Sequence, residues 1–181
     1  MRIHALWRRL DVPGHDAAFV TTAGEDRMLR GMAVFGHGAG ATCVAYEVAL
    51  AQDWSTRRGE LRGHQEGRLF HHRIERRPDG WYLDGHRQAG LEALVDLDFG
   101  FTPATNLQQM QRVILDGGPA VELPVAWFDI GMERLDVLPQ RYERRGENCF
   151  WYEAPTAGYQ GLLELADHGV VARYPGLWSL C

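Results

Sequence analysis

Glycine, proline and short polar residues punctuate this chain at short intervals, and that spacing constrains its fold more than any other feature. Gly36-His-Gly-Ala-Gly40, Arg77-Pro-Asp-Gly80, Gly146-Glu-Asn148 and Asp167-His-Gly169 each mark a tight reversal. Proline presets φ and glycine accepts the reversed backbone, so such clusters join strands. Apolar runs lie between them and read as strands: Phe19 to Thr22, Met28 to Gly36, Ala41 to Leu50, Arg68 to Arg76 and Trp81 to Asp84. The run from Ala41 shows the two-residue period plainly. Thr42, Val44, Tyr46, Val48 and Leu50 share one face, and Cys43, Ala45, Glu47 and Ala49 share the other. Arg57 to Glu66 alternates Arg58, Glu60, Arg62 and His64 with Gly59, Leu61 and Gly63, which predicts a strand with one solvated or ligand-facing side.

One segment breaks this rhythm. Leu94 to Phe101 reads as a strand that Thr102-Pro103 ends, and Asn106 to Leu115 then carries Leu107, Met110, Val113 and Ile114 within one helical stripe. Thr105 or Asn106 is placed to cap the helix, and Asp116-Gly-Gly-Pro119 stops it. Strands resume at Val121 to Ile130, Arg141 to Arg144, Phe150 to Ala154, Gly161 to Leu165 and Val170 to Tyr174. The expected architecture is mainly β: a many-stranded antiparallel sheet, curved around a single helix that fills its concave side. No linker or repeat divides the 181 residues, so they read as one domain.

Composition removes several functions. A formal charge of −5 is the wrong sign for a nucleic-acid surface. No stretch approaches the ~20 apolar residues of a membrane span, and Met1 to Leu10 lacks a signal-peptide core, so a cytoplasmic protein is expected. Three unpatterned cysteines fit reduced thiols. All 19 basic residues are arginine, which excludes Schiff-base lysines and the P-loop lysine. Ser55 and Ser179, the two serines, lie outside any Gly-x-Ser-x-Gly elbow. No metal-ligand spacing and no dinucleotide fingerprint occurs, so neither metal nor cofactor is expected.

What remains is acidic and aromatic. Asp96 and Asp98, two apart on a strand, point to one face, while Leu97 and Phe99 point the other way. Paired carboxylates bind sugar hydroxyls, hold a cation or divide acid and base roles, and a solvated strand face is the plainer alternative. Asp53, Trp54 and Arg57 form a second cluster, an aromatic ring beside an ion pair, suited to a sugar or phosphate or simply to a strand connection. Arg141 lies in a basic, aromatic run, and Tyr152 and Tyr174 have hydroxyls to lend to a cavity.

The ordered residues also resemble a family. The series is Trp7-Arg8-x-Leu10-Asp11-x-Pro13-Gly14, Tyr46-x-Val48, Trp54-x-Thr56-Arg57, Asp79-Gly80-Trp81, Asp96-Leu-Asp-Phe-Gly-Phe-Thr-Pro-Ala-Thr-Asn106, Val125-Ala126-Trp127, Gln140-x-Tyr142 and Tyr174-Pro-Gly-Leu-Trp178. It is similar to the bacterial "putative glycolipid-binding" family, formerly a domain of unknown function. The chain departs from the family at Gln108 and Gln109, where a proline is common, and at His15, where glutamate is common. The resemblance implies a half-barrel around one helix, an acidic pocket, a homodimer and a glycolipid or other sugar-bearing amphiphile as ligand. Set on this sequence, it makes Asp53, Trp54, Arg57, Tyr46, Asp96, Asp98, Arg141 and Tyr152 the expected ligand-binding residues. A non-catalytic binding module is the leading expectation. An enzyme using Asp96 and Asp98 on a sugar or lipid ester, and a structural dimer without small ligand, are the alternatives.

Overall fold

The computed structural model describes residues 3–24, 26–115 and 118–181. Its strands are β1 (Ile3–Arg9), β2 (Gly14–Ala23), β3 (Asp26–His37), β4 (Gly40–Leu50), β5 (Thr56–Gln65), β6 (Arg68–Arg77), β7 (Gly80–Leu83), β8 (His86–Gln88), β9 (Leu97–Phe99), β10 (Ala120–Glu122), β11 (Val125–Phe128), β12 (Asp136–Leu138), β13 (Arg141–Arg144), β14 (Cys149–Ala154), β15 (Tyr159–Leu165), β16 (Val171–Tyr174) and β17 (Trp178–Leu180). Fourteen of them form one sheet in the order β10-β13-β14-β15-β16-β17-β1-β2-β3-β4-β5-β6-β7-β8. Every pairing in it is antiparallel, and β17 joins β1, so the first and last strands lie side by side mid-sheet. The sheet stays open, a half-barrel.

The concave side is filled by a second layer, a three-stranded sheet ordered β12-β11-β9 with β9 parallel to β11, and by the helix that follows β9. Alternation along the large sheet decides which side chains meet this layer. On β4, Thr42, Val44, Tyr46, Val48 and Leu50 are all buried, as the sequence predicts, and the intervening residues are not. Gly59 on β5 shows how closely the layers approach. A Cβ there would lie 2.4 Å from Leu97 Cδ2 and 3.3 Å from Phe99 Cζ. Glycine is therefore required for β9 to rest on the sheet.

Several boundaries differ from expectation, each for a physical reason. The strand expected over 94–101 pairs only at Leu97–Phe99. The strand expected over 121–130 is two strands in different sheets, β10 and β11, parted at Leu123-Pro124, where proline cannot donate to a ladder. The helix begins as an α-helix at Asn106–Gln109 (α1) and continues as a π-helical turn over Met110–Ile114. There the Leu115 N–H donates to the Met110 carbonyl at 3.1 Å. A stripe at spacings of three and four does not reveal that widening. The expected side-chain cap is absent too, because the Thr105 hydroxyl is engaged elsewhere. The stop after Leu115 begins at Asp116-Gly117, outside the described residues.

Among the described residues, β1, β8, β12 and β17 have no counterpart in the expected strands, and β2 is expected only over Phe19 to Thr22. Ile3–Arg9 and most of Gly14–Ala23 carry apolar groups outward and a charge inward. Leu6, Phe19, Met32 and Val34 are exposed on the convex face, while Asp16 is fully buried on the concave one. Registers Leu6↔Ala17, Ala17↔Met32 and Met32↔Ala45 run this apolar surface straight across four strands.

Candidate functional site

Asp98 stands at the junction of the two layers. Its backbone belongs to β9, and its side chain points away from the face that Leu97 and Phe99 press onto Gly59. The Thr105 hydroxyl donates to Asp98 Oδ1 at 2.6 Å and accepts the Phe99 N–H at 3.1 Å. Gln140 Nε2 donates to Asp98 Oδ2 at 2.7 Å. The Tyr142 hydroxyl then donates to Gln109 Oε1 at 2.8 Å and accepts from Asn106 Nδ2 at 3.1 Å. The polar residues that open the helix are thus consumed inside the protein, against strand ends of both sheets. Gln108 extends the same logic: its amide donates to the Leu97 carbonyl, and its Oε1 accepts from the Thr56 hydroxyl at 3.3 Å.

Beside Asp98 a cavity of about 450 Å³ opens between the inner layer and the β14–β17 end of the sheet. Asp98, Asn106, Trp127 and Asp129 line its inner wall, and Tyr152, Tyr159, Tyr174 and Trp178 line its outer wall. Three of the tyrosine rings contact one another, with centroids 4.7 Å apart for Tyr159–Tyr174, 5.7 Å for Tyr152–Tyr174 and 5.9 Å for Tyr152–Tyr159. Gly100 lets the Asp129 and Trp127 side chains lie against the backbone that leaves β9, because a Cβ there would lie 2.5 Å from Asp129 Oδ2 and 2.8 Å from Trp127 Nε1. No arginine or histidine belongs to the lining among the described residues.

Burial sets the electrostatics. It pushes the Asp98 carboxyl up to about 6, against the pull of its bonds from Thr105 and Gln140, and the nearby charges of Asp129 and Asp96 push the same way. Asp129 is also raised by burial, while Arg9 and His37 draw it down. Burial raises the Tyr152 and Tyr174 hydroxyls well above their ordinary range, so the outer wall is neutral. A second buried carboxylate lies behind this wall. Asp16 accepts from the Tyr46 hydroxyl at 2.9 Å and from the Thr102 hydroxyl, and burial raises it to about 6. Thr102 itself lines the cavity, so Asp16 and Tyr46 hold the loop that leads from β9 to the helix.

The eight residues singled out in the sequence fall into four places. Asp98 and Tyr152 meet in the cavity, and Tyr46 supports it through Thr102. Asp96 shares the face of Asp98 but is buried in a paired contact with Arg112, at 2.9 Å from Nε and 2.6 Å from Nη2. Removing one partner of such a pair strands a buried charge. Asp53 closes a turn by accepting from the Ser55 N–H at 3.0 Å and its hydroxyl at 2.7 Å. Trp54 sits in that turn with φ 67°, its ring 4.7 Å from the Arg27 guanidinium carbon. Arg57 pairs on the surface with Asp26 at 2.9 Å, and Arg141 with Glu143 at 2.9 Å. The sequence reading missed Asp16 and Asp129. Asp129 had a signal: it follows Trp127 by two, as Asp98 follows Asp96, and so belongs to the same face as that tryptophan.

The fold and this cavity define an open antiparallel half-barrel whose inner layer walls off a compact acidic and aromatic space. The chain belongs to the family described as "Putative glycolipid-binding", whose pattern matches residues 4–179. It is similar in fold to the crystal structure of a DUF1089 family protein from Pseudomonas aeruginosa, with a TM-score of 0.73, 18% identity and 91% of each chain covered. Among curated proteins nothing matches it. No helix among the described residues is long and apolar enough to cross a membrane.

The two carboxyls raised to about 6, Asp16 and Asp98, make stability depend on pH with a definite sign. Each binds its proton more tightly in the folded state, so its stabilising share is complete below about pH 4 and is lost as pH rises through about 6. A shift of about two pH units corresponds to roughly 3 kcal/mol per group. In Asp98→Asn the titration at that site is gone. Urea unfolding at a series of pH values is expected to show wild type losing roughly 3 kcal/mol relative to the variant between pH 4 and 7. Parallel curves would show that Asp98 titrates normally.

Proposed function

We propose that this protein binds a glycolipid or similar sugar-bearing amphiphile, taking its polar head into the cavity beside Asp98. The observation that carries this reading is the lining itself. Aromatic faces stack on the apolar face of a sugar ring, and carboxylates accept from its hydroxyls. The volume decides which part of the ligand enters. About 450 Å³ lies low in the range of roughly 300–1,000 Å³ usual for small-molecule sites. That is room for a head group and not for acyl chains as well, so the chains would lie outside the mouth. The apolar recess between Ile3, Trp7, Val20, Leu29 and Leu107 offers them no alternative, since its free space is only about 10 Å³. The family description is in accord with this ligand class.

The whole chain acts in this reading as one cytoplasmic binding domain in lipid metabolism, without metal or cofactor. Two copies would pair through the convex face. Leu6, Phe19, Met32 and Val34 give that face an exposed apolar centre, and Arg30, Glu47, Glu60 and Arg62 give it charges of both signs, as a self-complementary two-fold interface needs. A second reading, carboxylate-dependent cleavage of the same ligand, is favoured by one observation: a buried carboxyl raised to about 6 is suited to donate a proton. Its partner would be Asp129, on the same wall of the cavity, rather than Asp96, which Arg112 engages.

Ala157 is exposed at the cavity mouth, so Ala157→Trp blocks entry without disturbing the core. Thermal shift against a panel of glycolipids is expected to find a stabilising ligand for wild type and at least a tenfold weaker response in the variant at unchanged melting temperature. Equal responses would place the ligand elsewhere, and no response to any lipid would remove the reading. Mass spectrometry of the recovered ligand distinguishes binding, which leaves it intact, from cleavage. For pairing, light scattering is expected to give twice 20.5 kDa for wild type and a monomer for Met32→Glu. A wild-type monomer at tens of micromolar would exclude the dimer.

A further inference from the structure

The cavity carries an imbalance that a neutral sugar does not resolve. Its lining includes two carboxylates and, among the described residues, no cationic side chain. Asp129 has partial compensation, because Arg9 and His37 act on it from outside the lining. Asp98 has none: the charges that act on it are those of Asp129 and Asp96, both of its own sign. Its two bonds come from uncharged donors, Thr105 and Gln140. A buried carboxylate without a counter-charge is costly, and any ligand that supplies one gains what the empty protein lacks.

The opposite wall is shaped for the same partner. Tyr152, Tyr159 and Tyr174 form a contiguous aromatic group, and Trp127 adds a further ring to the lining, whereas Trp178 is already engaged by Arg9, whose guanidinium carbon lies 5.2 Å from its ring centroid. The faces of tyrosine and tryptophan rings attract a cation, most strongly where water is excluded. The Tyr152 and Tyr174 hydroxyls, among the described residues, have only each other as side-chain hydrogen-bonding neighbours and remain free to accept an N–H. An anionic head would meet repulsion from both aspartates, and a neutral one would leave Asp98 uncompensated.

We propose that the cavity selects a head group bearing a protonated primary amine, an amino sugar in its free rather than N-acetylated form, with Asp98 as its counter-ion. This rests on the reading that the cavity takes the polar head of an amphiphile. The ammonium sits between Asp98 and the tyrosine rings, and its three N–H donors meet the carboxylate and a tyrosine hydroxyl. N-acetylation removes the charge and adds bulk in a cavity with little to spare.

The test is calorimetric titration of the full chain, at about pH 6.5, with four ligands of one alkyl chain length: an alkyl glucosaminide, its N-acetyl derivative, the alkyl glucoside and the plain alkylamine. The glucosaminide is expected to bind about tenfold or more tightly than each of the others, a gap of roughly 1.4 kcal/mol. In Asp98→Asn its advantage over the glucoside is expected to shrink to within about twofold. Should that variant fold poorly, wild type measured at the same pH in buffers of differing ionisation enthalpy gives a second readout. Binding of the glucosaminide then releases protons and binding of the glucoside releases none. The proposal is overturned if the glucoside or N-acetyl ligand matches the glucosaminide in wild type, if the advantage survives Asp98→Asn, or if proton release does not differ. An alkylamine that binds equally well overturns the amino-sugar assignment. Tight binding of the glucoside without preference for the amine sinks this proposal alone, whereas no binding by any of the four sinks the glycolipid reading with it.

Discussion

Two hydrogen bonds to one buried carboxylate tie this molecule together. Thr105 reaches Asp98 from the entrance of the helix, and Gln140 reaches it from the residue before β13. Asp98 itself sits on β9. Inner strand, helix and outer sheet therefore converge on a single side chain. The same threonine also satisfies the Phe99 N–H, which ladder pairing leaves free for it. A helix whose first turn would ordinarily expose its threonine as a cap here turns that residue inward. Local capping gives way to a tertiary contact between charged acceptor and hydroxyl, the stronger kind of bond.

That arrangement places a carboxylate where it is held but not neutralised, and the cavity beside it inherits the consequence. Asp96, two residues earlier and on the same face, has its charge met by Arg112. Asp16 is given two hydroxyls in a closed space and is raised much as Asp98 is. Asp98 alone of the three opens onto a cavity with aromatic walls. Identical residue types thus take different roles, one structural ion pair, one structural hydrogen-bond acceptor and one candidate ligand contact, decided by what the helix and the sheet bring against each.

The architecture was largely legible because β-strand period and turn chemistry are local properties. The hairpins around Gly38, Asp79 and His168 needed only their own residues to be read. Strand β1 was not legible, and β2 only from Phe19 to Thr22, since Leu6 and Phe19 lie outward and Asp16 inward, which blurs the usual alternation. The site was half legible. Spacing brought Asp96 and Asp98 to one face, but no local signal says that Arg112 will claim the first and leave the second. Arg57 and Arg141, attractive as charges in the sequence, spend themselves on surface partners. Trp54 is consumed by a turn with left-handed backbone. The cavity walls come from segments about 50 residues apart, and only the folded sheet sets Tyr152 and Tyr174 opposite Asp98 and Asp129.

The charge selectivity proposed for the cavity depends on Asp98 being a buried carboxyl with no counter-ion. Following its side-chain carboxyl carbon by NMR across a pH titration, assigned by its disappearance in Asp98→Asn, measures this directly. The account predicts a midpoint near 6 in the unliganded protein. A midpoint near the ordinary value of about 4 would show the carboxylate to be solvated or already compensated, and would contradict it.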